Sequence, residues 1–145
     1  VDLYHFGRGH TDGDLVVVFP DAGVIYAGEL FPGKLSPTID LASGGDPHEF
    51  PRTLRRASVG LLGSSRVITP HSGVLSWQDF INYGDFVNLL VTQVEGDILA
   101  GRTWDVGMKS FALDDRFSDY DLRTLPNTMQ DIYKGETPWW KVWVR

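Results

Sequence analysis

The 145 residues, 42% apolar and 22% charged, suffice for one compact domain and have the balance of an ordinary globular chain. A net charge of −6 with no block of Lys or Arg argues against a nucleic-acid partner, and no apolar run approaches the ~18 residues that cross a bilayer. The absence of Cys excludes disulfides, thiolate metal sites and cysteine nucleophiles, so any metal must be held by carboxylates and by His5, His10, His48 or His71.

The sequence opens on Val1 with neither a Met nor a charged-then-apolar leader, and we expect further sequence upstream of it. Leu3 to Phe6 reads as a short strand, and Gly7 to Asp14 as a turn rich in Gly and Asp. Leu15 to Phe19 is a continuous apolar run with β-branched valines, the pattern of a strand buried on both faces. Pro20-Asp21-Ala22-Gly23 supplies a turn, and Val24 to Ala27 returns as the second arm of a hairpin. Gly28 to Gly45 reads as a long loop punctuated by Pro32, Gly33 and Pro37.

Asp46-Pro47 with Glu49 has the chemistry of a helix start, with Leu54 and Ala57 facing inward and Arg52 to Arg56 forming the solvated side. Arg66 to Thr69 reads as a strand that ends in Pro70-His71-Ser72-Gly73. Ser76-Trp77-Gln78-Asp79 has capping-box spacing and opens a helix through Phe80, Tyr83, Val87, Leu90, Val91 and Val94 to about Ala100, closed by Gly101. Two shorter helices follow, one capped by Thr103 and running to Phe111, the other capped by Thr124 and covering Met129, Ile132 and Tyr133. Leu113 to Tyr120 between them is acidic and irregular, and the chain ends in the aromatic run Trp139 to Arg145. No repeat or linker interrupts this order, so residues 1–145 read as a single mixed α/β domain.

Three residues stand where strand ends would present them. His10 lies in the turn between the first two strands, Glu29 directly follows the hairpin, and His71 follows Arg66 to Thr69. Two histidines and a carboxylate are one three-ligand set for catalytic zinc, whose bonds of roughly 2 Å need short, stiff connections. Each residue also has a plainer reading, the histidines as surface or capping groups and Glu29 as the solvated end of a strand. Asp12 and Asp14 fit a turn-shaping role, accepting bonds from nearby backbone N–H groups.

The stretch from Tyr4 to Phe31, with Gly9-His10-Thr11-Asp12-Gly13-Asp14 at its centre and Gly28-Glu29-Leu30-Phe31 at its end, resembles the middle of metallo-β-lactamase-fold proteins. In that family a Gly-His-Thr loop brings in the third histidine, and a second strand ends in Gly-Asp-Leu-Phe. Ile39 to Gly45 resembles the family's next loop, Val67 to Val74 resembles the strand and loop that deliver its last histidine, and Asn127 to Lys134 is similar to a terminal helix. The resemblance covers Leu3 to about Gly135 and implies one half, the C-terminal one, of an αββα sandwich: a mixed sheet with helices on one face.

Departures from the pattern are specific. The family's H-x-H-x-D-H motif has no counterpart here. The bridging acid is Glu29 rather than Asp, which moves the carboxylate by about 1.5 Å. The family's Pro-Gly-His-Gly is Pro70-His71-Ser72-Gly73, with the histidine one place early. Only His10 matches without alteration.

The resemblance thus implies zinc at an incomplete site of His10, Glu29 and His71, with no catalytic residue assigned. It describes a truncated fold that is not catalytic as an isolated chain. The alternative is a zinc-dependent hydrolase of an ester, lactone, lactam or phosphodiester, active once combined with a missing N-terminal half or as a dimer. Half a sandwich leaves one sheet face uncovered, and about five side chains at ~1.5–3 kcal/mol each represent on the order of 10 kcal/mol, comparable to a domain's whole stability. We therefore expect that face to pair with the missing half or, as a homodimer, with a second copy. The aromatic tail is expected to be buried as well.

Overall fold

A computed structural model of the chain describes residues 1–136; the aromatic run Trp139 to Arg145 lies outside the described residues. The strands are β1 (Asp2–Tyr4), β2 (Val16–Phe19), β3 (Val24–Tyr26), β4 (Arg66–Thr69) and β5 (Gly73–Ser76). The helices are α1 (Glu49–Gly60), α2 (Trp77–Leu99), α3 (Trp104–Ser110) and α4 (Leu125–Glu136). The strands form one mixed five-stranded sheet in chain order, parallel between β3 and β4 and antiparallel elsewhere.

Local chemistry accounts for most of these elements. Pro20 to Ala22 form a single 3-10 turn closed by Gly23 at φ 60°, a left-handed conformation that suits glycine, and the hairpin then pairs Val17 with Tyr26 and Val18 with Ile25. A parallel neighbour cannot be reached by a tight turn, so the chain crosses from β3 to β4 through α1. Asp46 prepares that helix: its Oδ1 accepts the Glu49 N–H at 3.1 Å and its carbonyl accepts the Phe50 N–H at 2.9 Å. The expected capping box at α2 is present, with the Ser76 hydroxyl accepting from the Asp79 N–H at 3.1 Å and the Asp79 carboxylate accepting from the Ser76 N–H at 3.0 Å. Thr103 precedes α3 as expected, but its hydroxyl donates to Asp105 instead of capping the helix.

Two cross-strand rows define the faces of the sheet. Val18, Ile25, Val67 and Leu75 are aligned on the helix side, where Ile25 and Val67 are fully buried against α1 and α2. Displaced by one residue, Leu3, Val17, Tyr26, Ile68 and Val74 are aligned on the opposite side. Leu3, Tyr26 and Val74 of that row are 64%, 37% and 60% exposed, so no layer of the described residues covers this face. The expectation that β2 is buried on both faces is accordingly corrected. Val16 is buried, Val17 and Val18 are half-buried, and Leu15 and Phe19 are exposed.

Strand β1 is shorter than expected and starts one residue earlier, at Asp2, while β5 pairs as an edge strand where the sequence showed only a loop. The long loop after β3 is tied to the last third of the chain. Lys34 reaches Asp119 at 2.8 Å and Asp79 at 3.1 Å, and the Thr128 hydroxyl donates to the Pro37 carbonyl at 2.6 Å. Beneath it Phe31, Tyr83, Phe86, Phe117 and Tyr120 make a run of ring contacts that joins the loop to α2 and to the acidic segment after α3.

Candidate functional site

Strand β2 runs against β3 and β4, so the loop that enters β2 and the loops that leave β3 and β4 meet at one end of the sheet. His10, Glu29 and His71 occupy those three loops. In parallel α/β sheets, this strand-exit end is where ligands bind.

The His10 loop folds around Asp14. This carboxylate, with its side chain only 6% exposed, accepts the Thr11 N–H at 3.1 and 3.2 Å and the Thr11 hydroxyl at 2.8 Å. The Thr11 hydroxyl in turn accepts the Gly13 N–H at 3.2 Å, which closes the turn. Asp14 is the turn-shaping residue expected of it, and it also flanks the ligand candidate: His10 Nδ1 lies 3.8 Å from its Oδ1.

The loop is then clamped by residues 40–46. The Asp40 N–H donates to the His10 carbonyl at 2.8 Å, the Asp46 N–H to the Gly9 carbonyl at 3.1 Å, and Arg8 meets Asp46 at 2.6 Å. Gly45 lies so close to the His10 carbonyl that a side chain there would run into it. Hydrogen bonding to Ser43 holds the Asp40 carboxyl below its ordinary value, with His10 adding to the effect.

Glu29 and His71 come together directly. His71 Nε2 is 2.9 Å from Glu29 Oε1, and the side chains are 54% and 34% exposed. The loop carrying His71 is fixed from behind: its N–H donates to the Pro32 carbonyl at 3.2 Å, and the Thr69 hydroxyl accepts the Ser72 N–H at 3.0 Å. Gly33, at φ 129°, admits Ser72 into the space a side chain would fill. Below Glu29, the fully buried Tyr83 keeps a hydroxyl with no hydrogen-bond partner among the described residues. Burial, with lesser effects from Tyr120 and Glu29, pushes it well above the usual tyrosine range. Nothing in the sequence distinguished Tyr83 from any other core position of α2.

A three-ligand zinc requires donor atoms converging within roughly 2 Å of one point. The structure joins two of the three candidates to each other and places the third against Asp14. Among the described residues, no group of three or more His, Asp or Glu side chains could hold a metal ion. The described residues therefore do not come together as a three-ligand zinc site. The other two histidines are engaged elsewhere, His5 with the Asp14 carbonyl at 2.9 Å and His48 with Glu95 at 2.9 Å.

No protein-family model matches the sequence, and no curated protein sequence matches it. Solved structures do match. A metallo-β-lactamase from Erythrobacter litoralis superposes with TM-score 0.52 and 20% identity over 59% of this chain and 38% of that one. The metallo-β-lactamase DIM-1 gives TM-score 0.53 and 16% identity over 59% and 40% of the two chains. The mono-zinc form of the metallo-β-lactamase FIM-1 from Pseudomonas aeruginosa gives TM-score 0.52 and 17% identity over 59% and 38%. The matched part is thus only 38–40% of the length of these structures, and identities this low speak for the fold alone. The mixed five-stranded sheet with its helices on one face is a fragment of the metallo-β-lactamase fold.

Proposed function

We propose that this chain is the C-terminal half of a metallo-β-lactamase-type sandwich, that it carries a degenerate, partial set of metal ligands, and that it is not a hydrolase when isolated. One observation supports the reading: Glu29 and His71 pair at 2.9 Å, His10 lies 3.8 Å from Asp14, and among the described residues no three such side chains gather to hold a metal ion.

Metal analysis tests the proposal. Protein of residues 1–145, purified without chelator and equilibrated with zinc, is expected to hold well under one equivalent, with no change in His10→Ala. One tightly held equivalent that disappears in both His10→Ala and His71→Ala would overturn it.

The shared position of His10, Glu29 and His71 at one sheet end favours a second reading. A complementary half contributing further ligands there would restore a zinc-dependent hydrolase acting on an ester, lactone, lactam or phosphodiester. Adding such a half and recovering zinc-dependent hydrolysis would separate it from the first reading.

A further inference from the structure

Helices α1 and α2 lie side by side and run antiparallel. His48, just before α1, meets Glu95 at 2.9 Å, and further along α1 Leu54 faces Gly84 of α2. A Cβ added at Gly84 would already touch the Leu54 Cβ at 3.7 Å, so glycine keeps the space between the helices clear of a side chain there. This leaves a groove of about 270 Å³. Its apolar wall comes from the buried Leu54 and Phe80 and the half-buried Ile81. Arg55 from α1 and Asp85 from α2 line the same groove, and both are exposed. They are not bonded to each other. Asp85 meets Arg116 at 3.1 Å, a guanidinium it shares with Asp114, whereas the Arg55 side chain has no hydrogen bond or ion pair among the described residues. A carboxylate offers about four lone-pair sites, so Asp85 keeps acceptors for a further donor.

We propose that this groove binds a small zwitterion with an apolar side chain, of the class of the apolar α-amino acids. The ligand carboxylate pairs with Arg55, its ammonium with Asp85, and its side chain lies against Leu54, Phe80 and Ile81. A cation and an anion that line one groove without bonding to each other are complementary to a molecule carrying both charges. A guanidinium also matches a carboxylate with two parallel bonds. The groove falls just below the ~300–1,000 Å³ of drug-sized sites, which limits the ligand to a few atoms. Ion pairs at exposed groups are weak, so affinity is modest. None of His10, Glu29 and His71 lines the groove, and the proposal is independent of the metal reading.

The test is a titration of the full chain with L-leucine, followed through its backbone amide NMR signals. Those of Leu54, Arg55, Ile81 and Gly84 are expected to move together and to saturate with a Kd on the order of 1 mM. Isocaproate, which lacks the ammonium, and isoamylamine, which lacks the carboxylate, should each bind about three- to five-fold more weakly. Arg55→Gln should abolish the advantage of leucine over isoamylamine, and Asp85→Asn its advantage over isocaproate. Both substitutions fall at exposed positions, and circular dichroism confirms that each variant is folded. The proposal is overturned by the absence of a saturable shift at ten times that concentration, by equal binding of all three probes, or by leucine binding that neither substitution changes.

Discussion

Replacing Asp14 with Ala removes the group around which the His10 loop is wound. Its carboxylate is the sole side-chain acceptor among the described residues for both the Thr11 N–H and the Thr11 hydroxyl, and it is almost fully buried. Hydrogen bonds to a charged group contribute roughly 1.5–3 kcal/mol each. Relief of the carboxylate's own burial offsets part of that sum, so we expect a net loss of about 2–3 kcal/mol. In a chain of this length that is a fall of about 5–10 °C in Tm. Asp12→Ala is the control. It removes an exposed carboxylate two positions away and should change stability by less than about 0.5 kcal/mol. The assay is urea unfolding at fixed protein concentration, because association raises apparent stability with concentration. It is paired with the NMR signals of the His10 ring, which should shift in Asp14→Ala and stay in place in Asp12→Ala. Two variants of equal stability would refute the assignment of the carboxylate as the loop's anchor.

The start of α2 should be acid-sensitive. The Asp79 carboxyl is pushed up by burial, but its bonds from Ser76 and Lys34 outweigh this and hold it below its ordinary value of 3.8. Because the folded value is depressed, the stabilisation is complete above 3.8 and is lost as pH falls through the lower folded value. Asp79→Asn should therefore flatten the decline of the urea midpoint below about pH 4, and an unchanged slope would exclude Asp79 as its source. Gly107→Ala tests the junction of α2, α3 and α4. A side chain there would meet the buried Asp97 carboxylate and the Tyr133 hydroxyl, so we expect a loss of about 1–3 kcal/mol, read as a lowered Tm.

The parts of the fold that were legible in the sequence are those fixed by near neighbours. The start of α2 follows from two residues three apart, Ser76 and Asp79, and its buried face from the spacing of Phe80, Tyr83, Val87, Leu90, Val91 and Val94. Strand β4 was readable over its whole length, Arg66 to Thr69. Strand β5 was not, because its four residues become a strand only by pairing with β4, and Ser76 already announced a helix. The valines of β2 marked a strand, but a run of apolar residues does not state whether a second layer exists to bury its far side.

The candidate site divides along the same line. Residue type and strand-end position made His10, Glu29 and His71 visible. Whether they converge depends on partners far away in sequence or on side-chain direction, such as the bond between Glu29 and His71 across 42 positions. Register matters most for the uncovered face. A slip of one residue would exchange the two rows, putting Val18, Ile25, Val67 and Leu75 in water and Leu3, Val17, Tyr26, Ile68 and Val74 against the helices. Both rows are apolar, so hydrophobic pattern alone cannot choose between them. Arg66 breaks the tie: it alternates with Val67, and burying it under α1 and α2 would strand an unpaired charge in the core. The residue that fixes the register is thus an exposed arginine on the open face, whose charge forbids the slipped sheet.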